Sequence, residues 1–147
     1  MYFKCVISTI LIGLLITSCK IPKNDFVVNS NSLNSERLQK IIDNSKNTIY
    51  LGAGTIYLDK PIYLRSNTHI VGEYTKITFD QSQNINFIRA NNQSNISLKN
   101  LVIQPKNKIW KEGHNPGYHS IKMLNVSGFR MENVEFKDQL NTPVVLY

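Results

Sequence analysis

The segment 104–120 concentrates the side chains of this sequence that are best suited to chemistry. Indole and phenol faces stack on sugar rings, ammonium groups hold carboxylates or sulfates, and imidazoles transfer protons near neutral pH. All three kinds of group occur there, together with the carboxylate of Glu112: Lys106, Lys108, Trp110, Lys111, His114, Tyr118 and His119. The candidate substrate contacts are Trp110, Lys111 and Tyr118. The alternative is a surface loop whose Trp110 packs against the rest of the protein.

The same segment offers acid–base candidates but no predicted metal site. His114 and His119 lie in a stretch rich in Gly and Pro, and a metal ion would need a third ligand close by. Asp138 is the candidate acid outside the loop, whereas Glu135 stands between apolar neighbours and points away from the core. The catalytic residues are therefore unknown, with these two histidines and Asp138 as candidates, and no metal or cofactor is predicted.

The composition is that of a folded domain with a mild basic excess. Of 147 residues, 41% are hydrophobic and 18% are charged, and the formal net charge is +7. This length favours one domain. The basic residues form no block and no nucleic-acid motif, so no nucleic-acid partner is predicted. The excess is compatible with an acidic polysaccharide or an anionic surface as the partner.

The N-terminus has the features of an export signal. Lys4 gives a positive start, and the apolar run 6–16 has signal-peptide length but is too short to span a bilayer comfortably. The run ends in Leu-Ile-Thr-Ser before Cys19, which resembles the lipobox of bacterial lipoproteins, where the cysteine thiol is acylated and the chain is cut just before it. The alternatives are an ordinary secretory signal or an uncleaved anchor.

This resemblance implies a division of the chain and a location. We predict a signal peptide over 1–18, a lipid on Cys19, a tether over 19–31 and a single domain over 32–147. Phe26, Val27 and Val28 are an alternative first strand. A lipid anchor places the protein in the bacterial cell envelope, at the outer membrane or cell surface rather than the inner membrane.

The domain begins with one short helix and continues in short strands. Over 35–44, Leu38, Ile41 and Ile42 form one apolar face, and Asn34 or Ser35 is placed to cap the start. A helix this short needs an apolar surface to lie on. From Thr48 onward, apolar residues alternate with polar ones in runs of three to five residues, which is typical of strands.

The strands repeat at a higher level. Three copies begin at Ser66, Ser94 and Ser127, and their inward residues align Ile70 with Leu98 and Met131. A bend follows in each copy, held by Gly72, Asn100 and Asn133. Gly and Asn tolerate left-handed backbone. We therefore predict that these three residues occupy equivalent bends, with the amides of the two asparagines hydrogen-bonded in a ladder.

These motifs resemble the pectate-lyase-like superfamily of right-handed parallel β-helices. The resemblance rests on the stretches 38–43, 48–57 and 62–72 and on the later copies Ser-Asn-Ile-Ser-Leu-Lys-Asn-Leu and Ser-Gly-Phe-Arg-Met-Glu-Asn-Val. It implies an all-β solenoid whose first coil is covered by the helix, and a polysaccharide lyase or glycoside hydrolase. Calcium is implied by this resemblance alone, because the clustered acids that relatives use do not occur in this sequence.

We therefore expect a protein that acts on or binds an acidic polysaccharide. The alternatives are a non-catalytic surface protein that binds a glycan or a protein, and an inactive remnant of a longer enzyme. Residues 143–147 read as the opening of a strand. This ending predicts a truncated solenoid that self-associates through its open last coil.

Overall fold

The computed structural model of the chain describes residues 27–46, 48–83, 85–106, 118–139 and 142–147. These residues are mostly β. They form the helix α1 (Ser35–Asn44) and the strands β1 (Val27–Val28), β2 (Ile49–Leu51), β3 (Thr55–Leu58), β4 (Ile62–Tyr63), β5 (His69–Phe79), β6 (Ile88–Asn91), β7 (Ser94–Ile103), β8 (Ile121–Leu124), β9 (Ser127–Phe136) and β10 (Val144–Leu146). No helix within these ranges is long and apolar enough to cross a membrane.

The helix α1 has the bounds that the sequence predicts. Asn34 is the N-cap, and its side chain accepts a hydrogen bond from the backbone N–H of Arg37 at 3.0 Å. Leu38 and Ile42 are buried, and Ile41 packs partly against the same core. The short helix is therefore stabilised by the apolar surface beneath it rather than by its own hydrogen bonds alone.

The strands form two parallel sheets. Among the described residues, one sheet has the order β1-β2-β5-β7-β9 with β3 also on β5, and the other has the order β10-β8-β6-β4. Every pairing between these strands is parallel. From β4 onward, successive strands alternate between the sheets. Each repeat therefore contributes one strand to each sheet and stacks on the repeat before it.

The core lies between the sheets and consists of the inward residues of each strand. Ile70 pairs with Leu98, and Leu98 with Met131, as the predicted alignment of the repeats requires. The larger buried side chains include Phe79 and Phe87, whose rings stack with centroids 4.5 Å apart. Alternation with period two places one face of the strands β2 to β8 in this core and leaves the other face to solvent.

The fold includes residues that precede the domain boundary predicted at residue 32. β1 pairs with β2, as the alternative of a short first strand predicts. Ser30 is fully buried and its hydroxyl donates to the carbonyl of Gly52. Residues 27–31, predicted as the end of a tether, are therefore part of the fold.

Asparagine pairs connect successive repeats at three bends. In each pair the side-chain Nδ2 of the later residue donates to Oδ1 of the earlier one, at 2.8 to 3.2 Å. All six residues have left-handed backbone, with φ between 50° and 62°. The pairs are Asn67 with Asn95, Asn92 with Asn125, and Asn100 with Asn133. The predicted pair is thus present, together with two others that the sequence did not reveal.

Gly72 lies opposite Asn100, where the bend was predicted, but it does not have the left-handed backbone predicted for it. The left-handed residue of β5 is Tyr74, with φ 52°, because the register with β7 shifts between Val71 and Thr75. A Cβ on Gly72 would lie 2.6 Å from the carbonyl oxygen of Asn100 and 2.9 Å from Thr75 Oγ1. The glycine therefore permits close approach of two strands, and its role is steric rather than conformational.

Gly72→Ala is expected to destabilise the protein by about 1–3 kcal/mol, since one of the clashing atoms belongs to the backbone and has little freedom to move. The measurement is the midpoint of chemical unfolding. Gly52→Ala is the matched control, because its added Cβ meets no atom closer than 3.6 Å. Equal stability of the two variants would contradict the steric role.

An ion pair connects α1 with the loop after β4. Arg65 Nε donates to Asp43 Oδ1 at 2.5 Å, and Gln39 Nε2 donates to the same oxygen at 3.0 Å. These hydrogen bonds lower the pKa of Asp43 below its ordinary value. Folding therefore favours the charged carboxylate of Asp43. Its contribution to the stability of the folded protein is present above the ordinary pKa of an aspartate and is lost as the pH falls through the lowered pKa.

Asp43→Asn is expected to be less stable than the parent protein near neutral pH, by about 1 kcal/mol at most because the pair is partly exposed. The difference should shrink as the solution is acidified below the ordinary pKa of an aspartate. Thermal unfolding of both proteins as a function of pH measures it. A stability difference between the two proteins that grows as the pH falls would contradict the predicted pH dependence.

Candidate functional site

The outer face of the four-stranded sheet carries a row of cationic and aromatic side chains. Tyr63 on β4 pairs in register with Arg89 on β6, Arg89 with Lys122 on β8, and Lys122 with Val145 on β10. Each of the first three stands between two inward apolar residues of its strand, which are Ile62 and Leu64, Ile88 and Ala90, and Ile121 and Met123. The alternation that buries these neighbours turns the row outward.

Each cation of the row lies over an aromatic ring. The guanidinium carbon of Arg89 is 5.7 Å from the ring centroid of Tyr63, and Lys122 Nζ is 5.6 Å from that of Tyr147. Both rings remain accessible, with exposed fractions of 51% for Tyr63 and 70% for Tyr147. We call these four residues the basic–aromatic row.

A shallow cavity of about 210 Å³ opens along this row. Tyr63, Arg89 and Lys122 line it together with Asn91 and the buried Asn86. The Nε of Arg89 donates to the backbone carbonyl of Asn86 at 2.7 Å, which orients the guanidinium. An oriented planar guanidinium is well suited to hold a carboxylate, and Lys122 adds a second positive charge one strand away.

Two of the candidates from the loop lie in the described residues. The backbone N–H of His119 donates to Asn86 Oδ1 at 2.7 Å, and its Nδ1 donates to the carbonyl of Thr142 at 2.7 Å. This carbonyl orients the ring and requires a proton on Nδ1; in the neutral imidazole, Nε2 is then the acceptor. Tyr118 is half-buried beside it. Asn86 thus connects His119 with Arg89, because it accepts a hydrogen bond from each of them.

Asp138 has a conformational role in the turn after β9. Its φ is 52°, and Gln104 Nε2 donates to its carboxylate. Aspartate is one of the residues that tolerate a left-handed turn position, and the catalytic role of Asp138 stays a prediction. The remaining candidates Cys19, Trp110, Lys111 and His114 lie outside the described residues.

The described residues do not fit the calcium site that the sequence resemblance implies. Within residues 27–46, 48–83, 85–106, 118–139 and 142–147, no three His, Cys, Asp or Glu side chains group together as metal ligands would. No step of any mechanism is therefore assigned to a metal ion here.

None of the four members of the basic–aromatic row was identified as a site residue from the sequence. A signal for these residues does exist in the sequence: in a strand, the residue between two inward apolar residues must face outward. Lys122 could have been found in this way, since the apolar residues Ile121 and Met123 alternate around it in the sequence. Arg89 was missed because Ile88 and Ala90 were not recognised as a strand.

The fold and the row define the class of the protein in coarse terms. The chain is a mostly β protein of two parallel sheets with a basic and aromatic outer face. Comparison with protein-family models, with curated proteins and with solved structures gives no significant match.

Proposed function

We propose that the chain is a lipid-anchored protein of the bacterial cell envelope that binds an acidic polysaccharide on the outer face of its four-stranded sheet. The observation that carries the proposal is the basic–aromatic row, in which Arg89 and Lys122 stand on neighbouring strands beside exposed tyrosine rings. Two neighbouring cations between two ring faces suit a chain of sugar acids, because carboxylates pair with the cations and sugar rings stack on tyrosine.

The fold that we propose for this function is a right-handed parallel β-helix of the pectate-lyase-like kind. Two features support it: strands that alternate between two parallel sheets, and asparagine ladders at successive bends. Right-handedness is the general rule for connections between parallel strands of one sheet. In such a solenoid, the row runs along the stacking axis with its cations about 4.8 Å apart, the spacing of neighbouring strands.

The spacing of the row has a consequence for the ligand. A linear polymer that carries a carboxylate on each sugar presents charges repeatedly along its length, so the two cations of the row can each pair with a different carboxylate. A single sugar acid reaches one or two cations. Affinity is therefore expected to rise with the number of linked sugars, up to the length of the row.

The test is titration of the full-length protein, in detergent micelles, with polygalacturonate. The matched ligand is the same polymer with its carboxylates fully methyl-esterified, which keeps the sugars and removes the charge. We expect binding to the acid form, weakening as salt is added, and little binding to the ester. Equal affinity for the two polymers would contradict the proposal, and so would a lack of binding to both.

Arg89→Gln and Lys122→Gln are each expected to raise the dissociation constant roughly 10-fold, and more for Arg89 than for Lys122, because a charged hydrogen bond contributes about 1.5–3 kcal/mol. Lys76→Gln on the other sheet removes the same charge and is the control. If all three substitutions weaken binding equally, the effect would come from net charge and not from the row.

The same mixtures report on catalysis. A lyase would produce unsaturated sugar ends that absorb in the ultraviolet, whereas a hydrolase would produce new reducing ends. If either product forms, His119 is the first described residue to replace, since its Nε2 is available as an acceptor and its ring is fixed.

A further inference from the structure

A second cavity adjoins the basic–aromatic row on the side of the helix α1. We call it the helix cavity; Tyr63 and Lys60 line it together with α1 residues that include Glu36 and Lys40. Tyr63 also lines the cavity along the row, so the two cavities share this residue. The helix cavity has a volume of about 310 Å³. This is at the lower end of the range for small-ligand sites, about 300–1,000 Å³.

Hydrogen bonds from α1 fix the walls of the helix cavity. Gln39 Oε1 accepts from the backbone N–H of Tyr63 at 2.7 Å, and Gln39 Nε2 donates to the carbonyl of Tyr63 at 3.0 Å. In the same way, Ser35 Oγ donates to the carbonyl of Lys60 at 2.9 Å and accepts from its N–H at 3.0 Å. The backbone that carries Tyr63 and Lys60 is therefore held in place before a ligand binds, which lowers the entropic cost of binding.

The charges at the helix cavity offset one another. Lys40 Nζ lies 2.7 Å from Glu36 Oε1, and both side chains are exposed. The hydrogen bond from Lys40, together with the charges of Lys40 and Lys60, lowers the pKa of Glu36. A hydrogen bond from Ser35, together with the charge of Lys60, lowers the pKa of the neighbouring Asp59. Two carboxylates thus balance two ammonium groups here, whereas no acidic side chain of the described residues lines the cavity along the row.

We propose that the helix cavity binds an uncharged sugar of the same polymer whose sugar acids pair with the basic–aromatic row. This inference rests on the function proposed above and narrows the ligand to an acidic polysaccharide that also contains uncharged sugars. The hydroxyls of such a sugar both donate and accept hydrogen bonds, and Glu36 offers acceptors beside the ammonium donors of Lys40 and Lys60. The ring of Tyr63 adds a face for stacking.

A sugar acid fits the helix cavity less well than an uncharged sugar. Its carboxylate only accepts hydrogen bonds, and it would lie beside Glu36, which carries the same charge and competes for Lys40. Unfavourable contacts of this kind exclude one ligand in favour of another. Arg89 and Tyr63 are neighbours in register, so a polymer held by Arg89 and extended past Tyr63 enters the helix cavity with its next sugar.

The test compares four-sugar ligands on the full-length protein in detergent micelles. One ligand is tetragalacturonate, and two others carry galactose in place of galacturonate at one end or at the other, which replaces a carboxylate by a hydroxymethyl group. We expect the parent protein to bind one of the galactose-ended ligands roughly 5-fold more tightly than tetragalacturonate, which is the order of effect of one exposed charge pair.

Glu36→Gln is the decisive variant, because it removes a negative charge from the helix cavity and releases Lys40 from its ion pair. It should abolish or reverse the preference for the galactose-ended ligand. Glu132→Gln is the matched control, because it removes the same charge from an ion pair with Lys99 on the other sheet. This control should keep the preference of the parent protein.

Arg89→Gln distinguishes this inference from the proposed function. It should weaken binding of all three ligands and leave the preference unchanged. If binding depends on Arg89 but shows no preference, or if Glu36→Gln keeps the preference of the parent, the inference about the helix cavity is wrong and the proposed function stands. If no ligand binds, or if Arg89→Gln has no effect, the proposed function fails and this inference fails with it.

Discussion

Phe79→Ala is expected to lower the free energy of unfolding by about 3–5 kcal/mol, which is a large part of the stability of a domain this size. Phe79 is fully buried, and its ring stacks on Phe87 with an interplanar angle of 21°. The substitution removes this aromatic contact and leaves a cavity between the sheets that the surrounding strands are too constrained to fill.

Chemical unfolding of the variant and the parent measures the loss. Phe79→Leu is the graded control and should retain part of the stability, because it keeps most of the apolar volume. Tyr57→Ala removes a similar ring from the outward side of β3, next to Leu58, which pairs with Phe79. It should lower the free energy of unfolding by about 1 kcal/mol or less. Similar losses in Phe79→Ala and Tyr57→Ala would mean that the space between the sheets is not a packed core.

The helix and the repeat were predictable because local chemistry determines them. The N-cap of α1 is set by an asparagine side chain, and its buried face is set by residues three and four apart, so both can be read without knowledge of the fold. The alignment of Leu98 with Met131 follows from the two-residue period of strands, which is equally local.

The bend of β5 was not predictable in the same way. Aligning the copies without gaps placed Gly72 opposite Asn100, whereas the structure places additional residues there and gives the left-handed conformation to Tyr74. Tyrosine has no intrinsic preference for this conformation, so no residue type marked the position. The signal at Gly72 was real but came from the close approach of Asn100, which is a tertiary contact.

The basic–aromatic row illustrates a further limit. Its cations belong to strands that are distant in sequence and become neighbours through the parallel pairing of β6 with β8. The sequence directed attention to the loop 104–120, where chemically suitable residues are adjacent along the chain. A site assembled across a sheet has no such local concentration, and its detection requires the register.

Cys19→Ala is expected to abolish incorporation of labelled palmitate into the protein and to remove the mature form from the membrane fraction. The reason is chemical, since the thiol is the only good nucleophile at the end of the proposed lipobox and alanine has none. Two acyl chains hold a protein stably at a bilayer. A Cys19→Ala protein that is still cleaved has neither chain, so it should leave the membrane fraction almost completely.

Cys5→Ala is the matched control, because it replaces the other cysteine of the chain within the same export signal. It should leave labelling, mass and fractionation unchanged. Carbonate extraction and intact mass distinguish the alternatives: an ordinary secretory signal gives a soluble, cleaved product in the parent protein itself, and an uncleaved anchor gives the full-length mass in both variants. A Cys19→Ala protein with the processed mass and the membrane fraction of the parent would contradict lipidation. Binding of acidic polysaccharide by the basic–aromatic row does not depend on the anchor, so this result would leave that proposal standing.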